Sequence, residues 1–311
     1  VKYSLLFFVS AASIAAFAQS TTTSFSSGLN GERVANNSIV DNGAGQKTEL
    51  YQSINGRKVP LQQTEERVIS QNSSGRTVET VTKKFDPNGA LASTEKTVTQ
   101  EEKLSDGMRA HSTIYRSDVN GSVREIERKN LESHTQGGSS NSQTEIARPD
   151  PSGSFQTVEK RSSVTQTSGN GSNTDETVYR RLQDGTFSAA VRDISETTQS
   201  GSQSVKKSAH YEPTDSQQLQ LTAQTVTSTS KRPDGSTVSD VSYYGTSAGD
   251  GRVRDRQTAP QLREQQRIER VTKSDGSVTE IVAAQRPTVA DPSRLGPMQK
   301  ISETICLGMC K

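Results

Sequence analysis

Three histidines, two cysteines, a ladder of carboxylates and a column of tyrosines are the side chains of this sequence that could do chemistry. His111, His134 and His210 have no partner at metal-ligand spacing and lie outside any Gly-x-Ser-x-Gly nucleophile motif. Each reads as a solvent-facing strand residue. Glu95, Glu127 and Glu159 recur every 32 residues, and each is followed by a cation: Lys96, Arg128 and Lys160. Catalytic carboxylates of the glycosidase type need one cleft rather than a ladder, so the repetition predicts cross-strand charge pairing. Asp86 with Asn88, or Asp118 with Asn120, could offer oxygens to Ca²⁺. The same side chains build a turn unaided, and the calcium-loop pattern of ligands is absent. No catalytic residue, metal site or cofactor is expected.

Tyr51, Tyr115, Tyr179, Tyr211 and Tyr243 fall on one 32-residue column, with Lys83 and Ala147 filling the gaps. Evenly spaced rings beside Thr and Gln can stack on sugars, with weak sites gaining by avidity. Tyr115, Tyr179, Tyr211 and Tyr243 are therefore the candidate glycan-stacking residues. The same rings serve as apolar stitches between strands, which is the simpler role. Cys306 and Cys310 close a small terminal loop if they form a disulfide in an oxidising compartment. A metal site would need ligands that are not nearby; a thiol pair that links two chains or captures a partner, or free thiols without a role, are the other readings.

The elements that position these residues follow from the repeat. Gly89, Gly121, Gly153 and Gly185 keep the 32-residue step, as do Asp86, Asp118 and Asp150 three residues earlier. An apolar residue comes two positions after the glycine column, at Leu91, Val123, Phe155, Phe187 and Leu219. A second glycine column, Gly75, Gly107, Gly171 and Gly235, lies half a period away, with Ser139 and Gln203 in its gaps. Two turn signals per unit with β-branched residues between them predict two antiparallel strands. Asp-Pro-Asn-Gly and its variants fit a type I turn closed by a left-handed glycine. The fold expected is all-β, a repetitive antiparallel meander of about seven two-stranded units forming an elongated sheet or ribbon. In it Ser117 pairs with Ser122, and Tyr115 lies opposite Arg124. The polar hairpin ends around Ser139–Ser142 and Gly169–Thr174 are expected to be loosely ordered. Gln261–Arg270 is the best candidate for a helix, and a weak one. Tyr115–Val123 resembles the tyrosine-aspartate repeats of large bacterial wrapping proteins in its hairpin chemistry, but the Tyr-to-Asp spacing and the period differ, so membership does not follow.

Residues 1–18 carry Lys2, an apolar run and Ala16-Phe17-Ala18, the pattern of a signal peptide cut between Ala18 and Gln19. The leading Val fits an alternative start codon and a bacterial source. The remaining organisation reads as a polar segment over 19–50, the hairpin array over 51–250, a divergent final hairpin over 251–286 turning at Asp275-Gly276, and a Pro-containing tail over 287–311. Nothing after the signal is apolar enough to cross a membrane. The lipid-facing apolar band of an outer-membrane barrel is also missing, because charges occupy both alternating sets.

Composition narrows the class further. The chain has 311 residues, 29% of them hydrophobic and none of them Trp, while Ser and Thr make up a quarter. So little apolar surface cannot enclose a dry pocket, which argues against an enzyme. A net charge of +2, with Arg252, Arg254, Arg256, Arg263, Arg267 and Arg270 interleaved with acids, gives no nucleic-acid footprint. The expectation is a secreted or periplasmic, non-catalytic repeat protein with a structural or surface-interaction role as spacer, adhesive or matrix. The alternatives are a glycan-binding array on the tyrosine column or a flexible secreted spacer. Surface glycan or self-association through sheet edges are the partners to consider.

Overall fold

A computed structural model describes residues 20–27, 33–41, 45–54, 57–117, 121–214, 216–246, 260–288 and 294–307. Among them lie eighteen strands and no helix. The first six are β1 (Ser20–Ser27), β2 (Arg33–Asp41), β3 (Gly45–Ile54), β4 (Arg57–Gln71), β5 (Gly75–Phe85) and β6 (Leu91–Lys103). The middle six are β7 (Gly107–Ser117), β8 (Val123–Gln136), β9 (Ser139–Pro149), β10 (Phe155–Ser168), β11 (Gly171–Arg181) and β12 (Phe187–Ser200). The last six are β13 (Gln203–Pro213), β14 (Leu219–Lys231), β15 (Thr237–Gly245), β16 (Gln261–Thr272), β17 (Val278–Gln285) and β18 (Gln299–Leu307).

Each strand pairs antiparallel with the next, as the repeat predicts. The first and last strands also pair, Phe25 opposite Ile305 and Ser24 opposite Cys306. The meander therefore closes on itself. Closure of the eighteen strands at the usual spacing and tilt gives a cylinder roughly 35 Å across, wide enough for a water-filled lumen.

The two kinds of turn follow from their sequences. At one rim Asp86 accepts the Asn88 and Ala90 amides on Oδ1, at 2.9 and 2.8 Å, and Gly89 adopts φ +84°. Asp150, Asp184, Asp234 and Asp275 repeat this side-chain-to-backbone bonding. At the other rim Gly137 and Gly138 both take positive φ, as a two-residue hairpin turn requires. The polar ends are not loosely ordered. There the strand amide of Lys103, Thr135, Thr167, Gln199 or Lys231 donates to the preceding turn's carbonyl, of Ser74, Asp106, Gly138, Asn170 or Ser202, at 2.6–2.9 Å. Backbone bonds do there what apolar side chains do at the other rim.

Three further expectations need correction. Ser117 pairs with Val123 rather than Ser122, which places Tyr115 opposite Glu125, and a bulge displaces Ile126 from the ladder. The five-residue turn shifts the register by one, and the bulge then restores the alternation of faces. Gln261–Arg270 is strand β16, held between β15 and β17; pairing on both sides overrides the helical propensity of its Gln, Arg and Glu residues. Tyr243 also leaves its column. Lys231 pairs with Thr237, where the period would put it opposite Ser236, because β14 and β15 are joined by the longer turn Arg232-Pro233-Asp234-Gly235-Ser236.

The register assigns every strand residue to one of two faces. The back face carries Val78, Ala110, Thr144, Ile146, Val241, Val278 and Ala284, all buried. It is rich in small side chains, and hydroxyls bond across strands at Thr99–Ser112 (2.9 Å), Thr165–Thr174 (3.0 Å) and Thr229–Ser239 (2.8 Å). The front face carries Tyr, Lys, Arg, His and Gln, mostly half-exposed. Glu79 and Val238 are the buried exceptions on the front face.

Candidate functional site

The repeating Glu–cation dipeptides divide between the two faces. Glu95, Glu127 and Glu159 point to the back face and pair across strands with Arg116 (2.9 Å), Arg148 (2.9 Å) and Arg180 (3.9 Å). This is the cross-strand charge ladder that the sequence spacing predicts. Their neighbours Lys96, Arg128 and Lys160 point to the front face. Arg128 lies over the Phe155 ring, 4.1 Å from its centroid, and Lys160 lies 5.1 Å from that of Phe187. Both cation and ring step by 32 residues, so the contact is a property of the repeat. Lys96 instead reaches Glu79 at 2.5 Å.

The tyrosines sit in the same front-face row, at the step in register beside each bulge. Tyr51 lies opposite Pro60, Tyr115 opposite Glu125, Tyr179 opposite Ala189 and Tyr211 opposite Leu221. Tyr244 completes the row, opposite Leu262, while Tyr243 lies on the back face opposite Glu264. The signal for this exchange was present in Pro233-Asp234-Gly235, which marks a long turn where the three preceding units have a two-residue one. Lys58 stands 3.8 Å from the Tyr51 centroid and 3.9 Å from Glu49.

The cations of this row are mostly neutralised within the chain. Arg128 bonds Glu125 (2.5 Å), Lys160 bonds Glu145 (2.8 Å) and Arg192 bonds Asp175 twice, at 3.0 and 2.6 Å. Arg181 bonds the Gln156 side chain. Glu79 is 5% exposed and lies between Arg67 (2.6 Å) and Lys96. Lys96 and then Arg67 hold its carboxyl below the usual carboxylate range, against the opposing effect of burial. Arg192 does the same for Asp175.

The histidines are each engaged by neighbours. His111 Nδ1 meets Asn130 Oδ1 at 2.5 Å. His134 lies between Glu132 (3.0 Å) and Asp106 (3.1 Å), whose carboxylates raise its pKa in that order. His210 lies between Asp193 (2.6 Å) and Glu212 (3.5 Å); burial lowers its pKa, but the two acids outweigh burial and the net shift is upward. Among the described residues no group of His, Cys, Asp and Glu is arranged to hold a metal. Asp86 spends Oδ1 on its own turn, while Asp118 and Asn120 lie outside the described residues, as do residues 1–18 and Arg252, Arg254 and Arg256. Arg267 pairs with Asp240 at 2.9 Å. Cys306, on β18, is disulfide-bonded, and Cys310 lies outside the described residues.

Among the described residues, three cavities adjoin these side chains. One of about 290 Å³ is lined by Gln63, Glu65, Arg67, Glu79, Val81 and Lys83. One of about 220 Å³ adjoins Tyr51, Lys58 and Pro60. The largest, about 650 Å³, runs along the rim between Glu125, Pro149 and Phe155. None brings a nucleophile to a base.

The class defined by this arrangement is an all-antiparallel, up-and-down β-barrel with charged and hydroxyl side chains on both faces. No known family matches the chain, and no curated protein does. Among solved structures, a triple mutant of the Rh. blastica porin superposes with a TM-score of 0.53 at 6% identity, over 94% of this chain and 99% of that one. CdiB from Acinetobacter baumannii gives a TM-score of 0.42 at 11% identity, over 93% of this chain and 59% of that one. The porin likeness is one of fold.

Proposed function

We propose that the chain is a secreted, non-catalytic β-repeat scaffold with a structural or surface-interaction role. The observation that carries this reading is the mutual saturation of its reactive groups. On the back face carboxylates meet arginines, and on the front face cations meet acids and rings, strand after strand. Mid-height front-face residues such as Arg109, Arg128, Lys160 and Arg192 are unsuited to contact with lipid tails. A hollow barrel wetted on both sides suits a spacer or matrix element outside the cytoplasm, where the disulfide at Cys306 persists. Fractionation of cells making the full chain tests this. The expected result is recovery from the periplasm or medium without detergent. Retention in the outer-membrane fraction until detergent is added would overturn it.

A further inference from the structure

Two tyrosines of the row flank a fixed arginine. Tyr51, Phe155 and Phe187 each have a cation of the chain over the ring. Among the described residues none lies over Tyr115, Tyr179, Tyr211 or Tyr244, and of these Tyr179 and Tyr211 are half-buried on β11 and β13, two strands apart. Between them Arg192 rises from β12, directly opposite Tyr211 and one side-chain step from the level of Tyr179. Asp175 grips Arg192 through Nε and Nη2, which fixes the guanidinium, neutralises it and leaves Nη1 outside that pair. On its two flanking strands Tyr179 lies opposite small Ala189 and opposite Lys160.

Two strand spacings across and one step along place the two rings about 12 Å apart, close to the disaccharide repeat of an extended β-linked glycan, on the order of 10 Å. Charge also selects the ligand. Arg192–Asp175 and the adjacent Lys160–Glu145 pair sum to zero, and Arg181, bonded to the Gln156 amide, adds a single positive charge beside Tyr179, too little to hold a polyanion, while fixed donors and acceptors remain to meet hydroxyls. We propose that Tyr179 and Tyr211, with the Arg192–Asp175 pair between them, bind an extended neutral glycan, one pyranose ring on each tyrosine. The proposal rests on the surface-interaction half of the scaffold reading and narrows the tyrosine column to one site.

The test is retention of the full chain on microcrystalline cellulose and on chitin, with starch and polygalacturonate as the coiled and the acidic controls. Tyr179→Leu/Tyr211→Leu keeps apolar side chains as stitches and removes the rings. Arg192→Lys keeps the charge pair and removes the planar fork. Tyr51→Leu alters a ring already covered. The wild type is expected to bind at least one β-linked glycan in preference to both controls. The double variant and Arg192→Lys should each lose about tenfold in affinity with an unchanged strand-type spectrum, and Tyr51→Leu should lose none. Preference for a control, indifference to both β-linked glycans, or equal binding by the folded double variant would overturn the site. Should the double variant unfold, Arg192→Lys decides. A soluble, folded chain that ignores glycans leaves the scaffold reading standing, whereas a chain needing detergent defeats that reading first.

Discussion

Replacing Glu79 by Gln tests whether the ion pairs of the front face hold strands together or merely decorate them. The substitution keeps shape and removes charge from a side chain that is 5% exposed. Arg67 and Lys96, on the two flanking strands, then face each other without the carboxylate that joins them. Removing one member of a fully buried pair costs several kcal/mol because the survivor stays desolvated. Here the survivors are 61% and 43% exposed and recover hydration. The expected loss is therefore smaller, about 1–2 kcal/mol, read as a lower urea midpoint at unchanged slope. Its pH dependence has a definite sign. The folded carboxyl of Glu79 titrates below its ordinary 4.5, so its contribution is complete above that value and disappears as pH falls through the lowered folded pKa. Wild type and Glu79→Gln should differ at pH 7 and converge once the pH has fallen below the lowered folded pKa. A difference that persists at low pH would show that amide packing is responsible. No difference at pH 7 would show that the three strands do not depend on the charge.

Gly107→Ala should be among the most damaging single changes in the array, costing about 3 kcal/mol or more, since a Cβ there would sit 1.8 Å from the Ser133 carbonyl oxygen. Gly121→Ala, where φ is +80° and nothing lies within 4 Å, should cost only about 1–2 kcal/mol; equal melting losses for the two would refute the close-approach argument. Arg128→Gln should lower the melting temperature if the cation over Phe155 matters, with the coupling to Phe155→Leu measured by a double-mutant cycle.

The sequence shows the sheet so clearly because the repeat carries three independent signals in one period. The Asp-x-x-Gly turns, the half-period glycines and the tyrosine column each mark hairpins of the same length, and the structure contains them. Register was harder to read, because a five-residue turn and a bulge each shift pairing by one and nearly cancel. That is why Ser117 meets Val123 although the faces alternate as expected. Closure was not legible, since pairing of β1 with β18 depends on curvature accumulated over the whole sheet rather than on any local motif. The candidate site was half visible. Spacing identified Tyr179 and Tyr211, but their difference from Tyr51 is a contact with Lys58, which only geometry reveals.

The adjacent Glu and cation of each unit show how a chain with so little apolar surface specifies a closed sheet. Because strand residues alternate faces, the dipeptides Glu127-Arg128 and Glu159-Lys160 send their two charges to opposite faces of the sheet. On the back face the acid meets an arginine on the next strand; on the front face the cation meets a ring and an acid. A one-residue slip would move Arg128 to the back face and Glu127 away from Arg148, breaking both sets of contacts at once. Individually these exposed pairs are weak. Their value is that every wrong register loses many of them together, so the repeated dipeptide supplies the specificity that a hydrophobic core provides in other folds. Exchanging Glu127 and Arg128 would invert that code in a single hairpin. The exchange should therefore disturb the register of β7, β8 and β9 by more than the sum of the two single substitutions, and an additive result in a double-mutant cycle would refute the argument.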